Sequence, residues 1–155
     1  MRANLIATAF IVAAAVFTGA AHAADVALSP SPAGAKVYFI SPADGDVVGT
    51  TFTVRFGLSG MGVAPAGVDV ANTGHHHLLI NAPDDLDFTK PLPASDQVRH
   101  FGGGQTETQL TLEPGTYKLQ LVLGNYLHIP HDPPVVSEPI TVTVAADAPV
   151  ELDWK

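Results

Sequence analysis

Histidine is the residue type in this chain whose number and spacing could do chemistry. Gly74-His75-His76-His77-Leu78-Leu79-Ile80-Asn81 sets three consecutive imidazoles at the head of an apolar run, and His100, His128 and His131 follow in polar segments. In an extended strand successive side chains alternate, so His75 and His77 share one face with Leu79 while His76 shares the other with Leu78 and Ile80. The face with two branched aliphatics is the better core face. That turns His76 inward as a structural residue and leaves His75 and His77 pointing outward, with Cα atoms roughly 6.5 to 7 Å apart. A His-x-His pair can place two ring nitrogens on one metal, but two ligands bind weakly. A site therefore needs His100, His128 or His131 to converge on the pair, with Asp96 and Asp132 as candidate carboxylates.

The donor types bound the metal. Without cysteine the chain can form neither a blue-copper site nor a cysteine-type structural zinc site. Beyond the leader it holds one methionine, Met61, which argues against a methionine-rich Cu(I) trap. Imidazoles with at most one carboxylate suit copper or zinc better than iron, and the general affinity order favours copper where both are available. The metal set expected from sequence is His75, His77, His100, His128 and His131. Two other readings compete. In one the rings only pack and hydrogen-bond in a structural or ligand-binding module, and in the other clustered imidazoles sense pH near 6.5. An enzyme is the weakest reading, because the chain has no Gly-x-Ser-x-Gly elbow, no His-Glu-x-x-His pair and no phosphate-binding glycine loop. Gly102-Gly103-Gly104 lacks the lysine and helix of such a loop and reads instead as a sharp turn or a close backbone approach.

The elements that must position these rings are strands. Lys36 to Ile40 is β-rich, and Thr51 to Leu58 alternates, with Phe52, Val54, Phe56 and Leu58 on one face. Gly60 to Gly74 is loop-like with a short strand at Val68 to Val70, and Ala82 to Phe101 reads as one long surface loop. Thr106 to Leu112 and Tyr117 to Leu123 alternate again around Glu113-Pro114-Gly115-Thr116, a type II turn sequence, and are expected to form a hairpin. His128-Ile129-Pro130-His131 lies in the proline-stiffened loop after that strand. Ile140, Val142 and Val144 mark a further strand, and Val150, Leu152 and Trp154 a last one. No segment holds a 3.6-residue period, and 13 prolines with 14 glycines would interrupt one. The pattern is all-β: an immunoglobulin-like β-sandwich of about seven short strands, with a cupredoxin-like barrel as the alternative.

The chain begins like an exported protein. Arg2, an apolar run from Leu5 to Phe17 and Ala21-His22-Ala23 match the parts of a signal peptide at 1–23. Cleavage after Ala21 would instead make His22 an amino-terminal copper chelator, but Ala23 is the better cut. The apolar run is shorter than the roughly 20 residues a membrane span needs. The organisation expected is a leader at 1–23, a flexible lead at 24–35 and a single domain at 36–155, in the periplasm or secreted. Without Arg2, six Lys and Arg face fifteen Asp and Glu, which argues against nucleic acid and anionic lipid as partners. The partners expected are a metal ion and, as a further candidate, another periplasmic protein.

Four stretches together resemble a known family: Gly60 to Gly67 (Gly-Met-Gly-Val-Ala-Pro-Ala-Gly), Gly74 to Ile80, His100 to Thr108, and Leu123 to Val135. They are similar to the bacterial exported family called domain of unknown function 4399, over roughly residues 36 to 145. The resemblance implies an exported β domain with a histidine signature, and no established activity. Asn81 stands where the family pattern has an aspartate after Leu-Leu-Ile, which weakens any role for a carboxylate there.

Overall fold

The computed structural model describes residues 28–146. The leader, the first residues of the lead and the expected strand at Val150, Leu152 and Trp154 lie outside the described residues. Among the described residues nine strands form in chain order: β1 (Lys36–Ser41), β2 (Val47–Val48), β3 (Thr51–Ser59), β4 (Gly62–Val63), β5 (Thr73–Ile80), β6 (Val98–His100), β7 (Glu107–Thr111), β8 (Gly115–Gly124) and β9 (Ile140–Val144). They build two sheets, β1-β3-β7 and β2-β9-β8-β5-β4, with β6 paired to β5 beside this path. β1, β3 and β7 make one sheet and the remaining strands the other, so the chain crosses repeatedly between the two sheets of an all-β sandwich. Among the described residues no helix is long and apolar enough to cross a membrane.

The core lies between the sheets and follows the alternation. Val54 and Phe56 of β3 and Leu119, Leu121 and Leu123 of β8 meet Leu78 and Ile80 of β5 and Val142 of β9. Each fully buried leucine contributes roughly 1.5 to 3 kcal/mol, so the β5–β8 pair is held firmly from its inner face. A second apolar layer covers the outer face of the same pair, where Leu92 and Val98 pack on Leu79 and Val122.

That layer corrects one expectation. Residues 82–101 are not simply a surface loop, because the segment folds back over β5 and ends in β6, which pairs antiparallel with it. The hairpin around Glu113 to Thr116 is also corrected. β7 belongs to one sheet and β8 to the other, and Tyr117 Oη donates to the Glu113 carbonyl at 2.9 Å, a tyrosine corner at the crossing between sheets. Val68 to Val70 is not a strand; the short strand of that region is β4, at Gly62–Val63. Part of the lead is held in place: Ser31 N and Asp132 N bond to the carbonyls of Asp132 and Ser29 respectively, and Ser31 Oγ donates to Pro133 O at 2.7 Å.

Candidate metal centre

Strand register brings the rings together. His75 stands opposite Gly124 and His77 opposite Val122 on β8, while His77 stands opposite His100 on β6. Directly opposed residues share a face, so His77 and His100 project to the same side, away from the core between the sheets. The fourth ring comes from the loop after β8. Asn125 Oδ1 accepts from the amides of Leu127 and Ile129, and Asn125 N bonds to Ile129 O. This tight turn puts His128 at φ 65°, and Leu92 N bonds to its carbonyl.

One ring nitrogen from each of His75, His77, His100 and His128 lies within 4.8 Å of the others. His75 Nε2 and His128 Nδ1 are 3.1 Å apart, one donating to the other according to tautomer. Ring centres are 4.7 Å apart for His75–His77 and 4.3 Å for His100–His128. A tetrahedral ion with bonds near 2.0 Å needs ligand nitrogens about 3.3 Å apart, so small ring movements close the shell. His75 and His77 are 0% and 1% exposed and form the floor, while His100 is exposed and forms the outer edge. The group contains no carboxylate, and both Asp96 and Asp132 are exposed.

The environment lowers the pKa of three of these rings. Burial, then the neighbouring His128 and His100, lower the pKa of His75 to about 4. Burial and the surrounding rings lower that of His77 to about 3, and burial with His128 lowers that of His100. Neutral imidazole is the form that ligates a metal. The buried Nδ1 atoms of His75 and His77 have no hydrogen-bond partner among the described residues.

The remaining histidines behave differently. His76 points between the sheets, its ring 5.1 Å from that of Phe56. Burial lowers its pKa to about 4, offset in part by the Gln105 backbone, and among the described residues neither ring nitrogen has a partner in hydrogen-bond geometry. His131, expected among the ligands, is not brought into the group of four. Its Nδ1 faces Leu123 O at 3.3 Å and its Nε2 faces Thr73 O at 3.2 Å, so its ring ties the start of β5 to the end of β8.

Three positioning residues escape a reading by residue type. A Cβ on Gly124 would sit 2.5 Å from His77 Cε1, so the His77 ring occupies the space a side chain there would take. A Cβ on Gly102 would sit 2.5 Å from His100 Nε2, which gives the glycine run its close approach. Asn125, 3% exposed, shapes the turn that presents His128. The available signals were Gly124-Asn125 directly after a strand and a glycine two residues beyond a histidine.

A family model described as a domain of unknown function (DUF4399) matches residues 54–145, more than half of the chain and all four clustered histidines. No curated protein and no solved structure matches.

Proposed function

We propose a function from the premise that this chain belongs to the DUF4399 family: it binds one divalent transition-metal ion, copper or zinc, for delivery, buffering or sensing in the periplasm. The observation that carries the reading is the approach of four ring nitrogens, from three separate segments, to within 4.8 Å of one another. His75 and His77 each keep a buried Nδ1 with no hydrogen-bond partner among the described residues, and unpaired buried polar atoms are destabilising. A metal would satisfy one nitrogen on each ring. Four protein ligands also fill a tetrahedral shell, the pattern of sites that hold an ion, whereas catalytic sites keep a position open. That favours carriage over catalysis. The periplasmic setting rests on the leader-like residues 1–23, and a second periplasmic protein is the natural recipient of a delivered ion.

Metal analysis and titration of untagged protein test the reading. One equivalent of Cu(II) or Zn(II) is expected, lost when His75, His77 and His128 are all replaced by alanine. Less than half an equivalent in the unsubstituted chain, or unchanged affinity in the triple variant, would overturn it.

A further inference from the structure

We infer that the cage selects a tetrahedral d10 cation, Zn(II) or Cu(I), over tetragonal Cu(II). The inference rests on the metal-binding role proposed above and concerns which ion the same four rings prefer.

The six distances between ring centres carry the argument. With metal–nitrogen bonds of about 2.0 Å and each ring centre about 1.1 Å behind its nitrogen, four rings on a tetrahedron have centres about 5.1 Å apart in every pair. On a square plane, four pairs fall to about 4.5 Å and the two diagonal pairs rise to about 6.3 Å. The observed separations are 4.3 Å for His100–His128, 4.7 Å for His75–His77, 4.9 Å for both His75–His100 and His75–His128, 5.3 Å for His77–His100 and 5.9 Å for His77–His128. A square needs two long distances that share no ring. If His77–His128 is one diagonal, the other is His75–His100, and that pair is shorter than the side His77–His100. The rings therefore form a distorted tetrahedron.

The surroundings resist flattening it. His75 and His77 are carried by a strand paired on both sides, and the His77 ring fills the space a side chain at Gly124 would take. His100 is seated over Gly102, and His128 is held by the Asn125 turn. Cu(II) favours tetragonal coordination, whereas zinc sites are tetrahedral. A cage that denies Cu(II) its geometry removes much of its usual advantage in affinity.

Spectroscopy of the untagged full chain loaded with probe ions tests this. One equivalent of Co(II) is expected to give the intense visible bands of a tetrahedral site and to be displaced by one equivalent of Zn(II). Cu(II) is expected to show the narrowed parallel hyperfine splitting of a flattened tetrahedron. Anaerobic chelator competition with Cu(I) and with Zn(II) then separates the two d10 ions, and preference for either supports the inference. Weak Co(II) bands together with a tetragonal Cu(II) spectrum at one equivalent would overturn this inference and leave the metal-binding function standing. Failure of every ion to bind would overturn both.

Discussion

The two faces of β5 carry the same residue type and put it to different uses. His76 turns between the sheets and packs on Phe56 with both ring nitrogens unpartnered among the described residues. His75 and His77, one residue to either side, turn outward into a cluster with His100 and His128. All three are almost completely buried, so burial alone does not mark a metal ligand. What differs is the company. The outer face is covered by a second layer that brings two more imidazoles, whereas the inner face is covered by aromatic and aliphatic side chains.

The sharpest way to break this comparison is to empty one face at a time. His75→Ala/His77→Ala is expected to weaken metal binding more than about a hundredfold, beyond the 10- to 100-fold that loss of a supporting residue costs. His76→Leu should leave affinity within about twofold, because it replaces an unpartnered polar ring by an apolar group of similar size. Isothermal titration of both variants checks the pair, and equal losses would erase the distinction between faces.

A smaller effect comes from crowding the outer face. Gly124→Ala places a methyl where the His77 ring sits and should cost about 1 to 3 kcal/mol by denaturant unfolding, with weaker metal binding as well. An unchanged midpoint would mean that the His77 ring has somewhere else to go. His131 extends the comparison to a single loop, since it lies three residues from His128 yet its two ring nitrogens face backbone carbonyls, one of which accepts according to tautomer. His131→Ala should lose about 1 to 3 kcal/mol of stability through its buried bond to a carbonyl while still binding one equivalent of metal. A change in stoichiometry would place it in the site.

A probe that changes no residue is pH, applied to metal-free protein. In the unfolded chain a histidine takes up its proton near pH 6.5, whereas folded His75 waits until about 4 and His77 until about 3. As pH falls through that window the unfolded state binds protons that the folded state refuses, so stability should fall between about 6.5 and 3 to 4. Bound metal should shift the loss to lower pH. Thermal unfolding across this range with and without one equivalent of Zn(II) checks both statements.

Much of this arrangement was legible in the residue order. Alternation placed β3, β9 and the inner face of β8, and separated His76 from its neighbours, because a period of two is a local property of an extended chain. It could not say which strands pair. The stretches around Glu113 to Thr116 look like a hairpin, yet Tyr117 anchors a crossing between sheets. Leu92 and Val98 were hidden in a proline-rich, aperiodic segment whose role as an outer cover depends on its return across β5. Spacing likewise favoured His131 as much as His128, and only the Asn125 turn distinguishes them. The clearance at Gly124 and Gly102 is a relation between distant backbone and ring atoms, which no local pattern records.

X-ray absorption at the zinc edge of protein carrying one equivalent of Zn(II) tests the central claim most directly. The account predicts four nitrogen scatterers at about 2.0 Å with the multiple-scattering signature of imidazole rings. A shell dominated by oxygen, or one with fewer than three imidazoles, would contradict it.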